Sequence, residues 1–280
     1  MLHNSIYCDS IYKIELEVVR VVDFLKAEKT FKEYLKDYNV VDGSIALKIR
    51  HTYEVVRKSE YIARGLGLDK ENIELSKIIA LLHDIGRFEQ IKEFKEFNDK
   101  NIEHAEFGVK VLFNDNLIRK FIQYTKYDNI ISKAIYNHNK FAIEQNLSDI
   151  ELLHCKIIRD ADKLDNFRVK QKDRLEDMFP KIYNSETINY ENISAKVYDN
   201  FMQHKCIKLE DRKTIIDYWV CVIAFIFDLN FDISLKYVKD NNYIDILVDR
   251  IEYKNIDTKN KMEYIRKCAK DYIENRCNKI

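Results

Sequence analysis

Ile78-Ile79-Ala80-Leu81-Leu82-His83-Asp84-Ile85-Gly86-Arg87 is an apolar run that ends on an imidazole and a carboxylate side by side. Five consecutive apolar residues point to a helix buried in a core. An acidic residue at the end of such a helix costs heavily unless a cation or a partner compensates it. A nitrogen ligand beside an oxygen ligand in that position is a way to hold a divalent metal.

Outward from this stretch the chain reads as all-α. It has five glycines and a single proline, Pro180, in 280 residues, too few to punctuate hairpins or a sandwich. Over roughly 11–38, Ile14, Val18, Val21, Val22, Leu25, Phe31, Tyr34 and Leu35 recur at helical spacing. Asp42-Gly43 breaks the chain, and Ser44 is expected to cap a second helix that carries His51 and ends in the Gly65–Gly67 turn. Asp69 caps a third, ending near His83-Asp84. A fourth begins around Glu103-His104, and a fifth runs to about His138. A sixth opens with the capping box Ser148-x-x-Glu151 and passes Asp162. Pro180 and the polar Tyr183-Asn184-Ser185-Glu186 mark the one good boundary. The expected organisation is an N-terminal helical segment over 1–43, a central domain over 44–182 and a C-terminal helical subdomain over 183–280.

Composition narrows the function. The 47 basic and 47 acidic side chains cancel, so no long-range field gathers polyanions, and a nucleic-acid polymer is not the expected partner. Cys8, Cys155, Cys206, Cys221, Cys268 and Cys277 are scattered without a Cys-x-x-Cys pair, which fits packing residues in a reducing cytoplasm. The longest apolar run, Trp219–Phe227, is less than half of what a bilayer requires, so it belongs in a core and no membrane is expected.

A single histidine on a helix is usually a satisfied polar group. The set is more informative: His51, His83-Asp84, His104, His138 and Asp162 fall on or at the end of separate helices, at intervals of 32, 20, 34 and 24 residues. Five helices can converge such groups inside one bundle.

With these residues the chain resembles the HD-domain superfamily of metal-dependent phosphohydrolases over about 44–170. The resemblance rests on the helix ending in His-Asp, on His104-Ala105-Glu106-Phe107-Gly108, on His138 after a helix, and on Asp160-Ala161-Asp162-Lys163-Leu164-Asp165. It implies an HD-type helical bundle with a C-terminal helical extension. It also implies that His51, His83, Asp84 and Asp162 hold one metal, while His104 and His138 resemble the added ligands of the binuclear branch, where Asp84 bridges. Cyclic-dinucleotide phosphodiesterases of the HD-GYP type and symmetrical diadenosine tetraphosphatases share that plan. The chain departs from the HD-GYP pattern: it has no Gly-Tyr-Pro segment, Arg87 stands for the usual lysine, and His138-Asn139 stands for a His-His pair. It is more similar to stand-alone bacterial HD hydrolases with His-Asp-Ile-Gly-Arg-Phe and Arg-Asp-Ala-Asp-Lys-Leu-Asp.

Four imidazoles and two carboxylates suit two divalent transition metals, Fe or Mn ahead of Co or Zn, more than Mg or Ca. Two such ions about 3.5–4 Å apart activate water for in-line attack on phosphorus. The expected substrate is a small phosphorylated molecule, a nucleotide or dinucleotide. Asp84, Arg87 and Lys163 are the expected catalytic set, and Arg87, Lys163 and Arg168 the phosphate clamp. Asp165, three residues beyond Asp162, is expected to orient a ligand or Arg168. Asp99 and Lys100, in the polar loop before His104, are candidates to touch substrate. His3, His154 and His204 read as structural or surface groups. The same ligand order occurs in HD-fold di-iron oxygenases that resemble myo-inositol oxygenase, and an inert HD binding module is the third class. The C-terminal subdomain is expected to cover the pocket or to make a homodimer interface.

Overall fold

The computed structural model describes residues 22–95, 99, 102–178, 184 and 187–278. Described residues form an all-helical fold with no strand among them. The expected helical residues before Val22, the Pro180 boundary, Lys100, Cys8 and His3 lie outside the described residues.

Helix α3 (Lys70–Leu82) is the central rod. Its second half, Ile78 to Leu82, is apolar on every side and fully buried, so neighbours surround it. Helix α2 (Gly43–Gly65) packs along it, and α7 (Asp128–Asn137) and α8 (Asp149–Lys172) close the bundle. Helix α1 (Phe24–Tyr34) lies on α3, where the Phe24 backbone N–H donates to Glu74 Oε2 at 3.0 Å.

Two local readings need correction. Helix α2 is capped by Asp42 rather than Ser44, because the Asp42 carboxylate reaches the backbone N–H groups of both Ser44 and Ile45. The chain also does not enter a loop after His83-Asp84. It bends at Asp84 (φ −103°, ψ 17°) and starts α4 (Ile85–Phe94) at once. Gly86 allows the next step: a Cβ there would lie 2.1 Å from the His104 carbonyl oxygen and 2.7 Å from the Gly108 nitrogen. Backbone therefore meets backbone where α4 crosses α5 (His104–Val109), and His104 is brought beside Asp84.

Helix α8 is the unusual element, being polar in sequence yet deeply buried. It starts at the expected capping box. Arg159, Asp160, Lys163, Asp165 and Arg168 are all buried along it, and each needs a partner in the interior. Asp160 accepts from the backbone N–H groups of Asn230 and Phe231 and from Asn230 Nδ2 at 2.8–3.1 Å. This ties α8 to the start of α12 (Asp232–Asp240). Helices α11 (Ile215–Ile223), α12 and α13 (Tyr243–Asp249) pack on α8. The long α14 (Ile256–Cys277) lies outside α12 and α13. The apolar run at 219–227 is core: Trp219 is fully buried, and its indole N–H donates to the Leu247 carbonyl. No described helix is long and apolar enough to cross a membrane.

Candidate metal centre

His51 comes from the middle of α2, and His83 and Asp84 from the bend after α3. His104 opens α5, His138 caps the end of α7, and Asp162 lies midway along α8. The four imidazoles and Asp84 are buried, and Asp162 is half-buried.

Asp84 sits at the middle of this group. Its Oδ2 faces His51 Nε2 at 3.6 Å and His83 Nε2 at 3.5 Å. Its Oδ1 faces His104 Nε2 at 3.6 Å and His138 Nε2 at 3.9 Å. Asp162 Oδ1 lies 3.1 Å from His51 Nε2. Two triads, His51–His83–Asp162 and His83–Asp84–His138, each bring one ligand atom per residue within 4.8 Å of the others.

Every ring is held by its other nitrogen. His51 Nδ1 meets Asp165 Oδ2 at 2.7 Å, and His104 Nδ1 meets Asp99 Oδ1 at 3.0 Å. His83 Nδ1 and His138 Nδ1 meet the carbonyls of Ala80 and Ile135 at 2.7 and 2.6 Å. A carbonyl or carboxylate can only accept, so each Nδ1 carries a proton, and a ring that is otherwise neutral turns its Nε2 lone pair inward. His83 Nε2 is then buried without a hydrogen-bond partner. His104 Nε2 and His138 Nε2 face each other at 3.1 Å, lone pair against lone pair. A cation between such donors relieves both conflicts, so the residues fit a metal.

Residues 49–166 match the HD domain family model. No curated protein and no solved structure matches the chain significantly. HD domains belong to a superfamily of metal-dependent hydrolases that bind divalent metals, and the His/Asp groups of this chain could hold such an ion. The HD match contains all six cluster residues and stops before the C-terminal helices.

Electrostatics follow from burial and proximity. Burial pushes the His138 imidazole down to about 3 and lowers that of His83, so both stay neutral. Burial also opposes charge on His51, but its bonds to Asp162 and Asp165 outweigh this and raise it to about 9. Burial would raise the Asp84 carboxyl, yet Lys48 and the surrounding imidazoles hold it well below the usual range.

Lys48, not singled out in the sequence, places Nζ 2.7 Å from Asp84 Oδ2. It precedes His51 by three residues and Lys58 follows it by seven, so helical spacing alone puts all three on one face of α2. Lys58 donates to Asp165 Oδ1 at 3.0 Å, and Arg168 binds the same carboxylate through Nε and Nη2 at 2.6 and 2.9 Å. Asp165 therefore stands behind His51, on the side away from Asp84.

The expected phosphate clamp is engaged elsewhere. Arg168 is taken up by Asp165, its neighbour at i−3, because a buried guanidinium requires a carboxylate. Arg87 donates to Gln90 Oε1 and bidentately to Asp99, which in turn holds His104, so Arg87 reaches the cluster through another residue. Lys163 lies 2.7 Å from Asp228 Oδ2, an oxygen that Arg159 Nη2 also meets at 2.6 Å. Asp99, a loop candidate for substrate contact, supports His104, while Glu103 at the start of that helix pairs with Lys140. His154 has both ring nitrogens occupied, by Ser76 Oγ and Asn72 Oδ1, and His204 is exposed and stacks on Phe227.

Beside the cluster opens a cleft of about 290 Å³ whose inner end is lined by His138, Asn139 and Asp162. Its walls include Lys163 and Arg159 of α8 and, from the C-terminal region, Arg212, Phe225 and Asp228. These last three carry no motif and reach the site only through tertiary packing.

Proposed function

We propose that this protein is a phosphohydrolase with a binuclear metal centre, acting on a small phosphorylated molecule of the nucleotide or dinucleotide class. The observation that carries the reading is the division of Asp84: one oxygen faces His51 and His83, the other faces His104 and His138. His51, His83, Asp84 and Asp162 would hold one ion, and Asp84, His104 and His138 the other. The mixed nitrogen and oxygen donors favour Fe, Mn, Co or Zn. Bound there, the ions supply Lewis acidity toward phosphoryl oxygens and bring the pKa of water toward neutrality.

The remaining work falls to the chain's own groups. Asp165, Asp99 and the carbonyls of Ala80 and Ile135 fix the ring tautomers, so each imidazole meets a cation without reorganising. Lys48 is half-exposed at the edge of Asp84 and can pass its charge to a phosphoryl oxygen there. The cleft receives the rest of the substrate and limits the access of bulk water to the reacting end.

The test is elemental analysis of protein purified without added metal, paired with phosphate release from a panel of nucleotides and dinucleotides after anaerobic reconstitution with Mn or Fe. Two metals per chain and oxygen-independent phosphate release are expected. His104→Ala and His138→Ala should each leave one metal, lower turnover by about 100-fold or more, and preserve the helical circular dichroism. Two metals and full activity in both variants would remove the binuclear assignment. Two irons with oxygen consumption and no phosphate release would instead favour the oxygenase class.

A further inference from the structure

We infer that the substrate carries a second anionic group, remote from the phosphorus that reacts, and that Arg212, Lys205 and Lys208 receive it. This inference deepens the hydrolase reading and rests on it for the identity of the reacting end.

The cleft beside the cluster does not end at its outer wall. Phe141, Cys206 and Asp228 line it and also line an outer bowl of about 470 Å³, so the two voids meet at these three residues. Side by side, the two voids extend from His138 and Asp162, past Phe141, to a rim that carries Lys196, Lys205 and Lys208.

Four of the cations along this passage are already paired with carboxylates. Arg159 and Lys163 share Asp228, Lys140 pairs with Glu103 and Glu106, and Lys196 pairs with Asp211. Three are not. Arg212 has no carboxylate partner among the described residues and lies over the Tyr218 ring at 4.2 Å. Lys205 donates only to the neutral Gln203 Oε1 at 2.7 Å. Lys208 approaches Glu210 no closer than 3.8 Å, with both side chains exposed, a contact of negligible strength. The chain as a whole has zero formal charge, so three uncompensated cations on one passage amount to a local excess of positive potential.

The passage is shaped for more than free phosphate. Phe141, 58% exposed, stands at the waist between the two voids, with Lys208 Nζ 5.8 Å from its ring centroid. A planar spacer can stack there. At the inner end, Asn139 Oδ1 is buried with no hydrogen-bond partner, an acceptor open to a hydroxyl or amine of a ligand. A reacting phosphate, a planar or sugar-like spacer and a second phosphate would occupy the cluster, the waist and the rim in turn. A ligand with one phosphate leaves the rim cations unused.

Equilibrium binding by titration calorimetry tests this without relying on turnover, with adenosine 5′-monophosphate and adenosine 3′,5′-bisphosphate as the probes at low ionic strength. The bisphosphate should bind at least about tenfold more tightly, because charge-assisted bonds are gained only by its second phosphate. Arg212→Gln should bring that ratio close to one, and so should the rim double variant Lys205→Gln/Lys208→Gln. The double variant decides the matter alone if Arg212→Gln does not fold. Equal affinities in the unaltered protein, or a ratio that survives the double variant, would overturn the inference. A ratio that depends on these cations in a protein that releases no phosphate from the nucleotide and dinucleotide panel would retain the subsite and discard the hydrolase reading.

Discussion

At the inner end of the site each imidazole gives its Nδ1 proton to a fixed acceptor and keeps Nε2 for a common centre. In the cleft outside it, Arg159 and Lys163 commit their charge to Asp228, while Arg212 commits its charge to no carboxylate among the described residues. The inner end holds every ring by a second bond on its far side, which is what aiming a metal ligand requires. The cleft needs only a sign of charge and a shape, so its cations are held by one another's counter-ions or stacked on an aromatic ring. His154 supplies the contrast within α8. It is as buried as the cluster histidines, yet both of its nitrogens are satisfied, which marks a structural histidine.

Four substitutions would break or sharpen this contrast. The largest effect is expected from Asp165→Asn, which leaves Arg168 buried without its carboxylate, leaves Lys58 with Glu54 alone and weakens the hold on His51 Nδ1. Chemical denaturation should show a loss of about 3–5 kcal/mol, and the metal should bind roughly 10–100-fold more weakly. Unchanged metal affinity would show that the ring behind the cluster needs no support.

A smaller effect concerns His154, which burial lowers to about 4 in the folded protein. The unfolded chain takes up this proton near 6.5. Between those values the unfolded state binds more protons, so stability is fully present above about pH 6.5 and declines as the pH falls toward 4, by up to about 3 kcal/mol. Comparing urea midpoints of the parent protein and His154→Gln across that window isolates the contribution. Parallel curves would mean that His154 takes up its proton as readily in the fold as in the unfolded chain.

The smallest change in stability, under about 1 kcal/mol, is expected from Asp99→Asn, since its bond to Arg87 is partly solvated. Its metal affinity should nonetheless fall about tenfold, through His104. Equilibrium dialysis against Mn or Zn measures this. Arg87→Ala should follow the same pattern. A raised KM for phosphorylated substrates with metal affinity intact would return Arg87 to direct contact with substrate.

The sequence made the cluster residues legible because the candidates are residue types that can ligate a metal, and each ended or interrupted a separate helical pattern. His83-Asp84 and the Asp160–Asp165 stretch carried most of that information. Lys48 and Lys58 were readable from spacing relative to His51, since helical periodicity puts all three on one face of α2. The carboxylate partners of Arg87, Lys163 and Arg168 were not, because a basic residue near the cluster looks the same in sequence whatever carboxylate of its own chain it meets. Asp228, Arg212 and Lys208 left no trace in the sequence: they reach the passage through the packing of α11 and α12 on α8, and that docking depends on a buried carboxylate, Asp160, gripping backbone 70 residues away.

Helix α8 has a further consequence for how this protein can be altered. Within seven residues it carries a cluster carboxylate, the clasp for the C-terminal helices, two cations of the cleft wall and the support for His51. A change anywhere in 159–165 therefore disturbs several jobs at once, which leaves the stretch little room to drift or to be redesigned. Arg212, Lys205 and Lys208 each serve one job at a distance from the ligands. Retargeting this scaffold to another substrate would start there, treating the C-terminal helices as an exchangeable visor over a fixed engine.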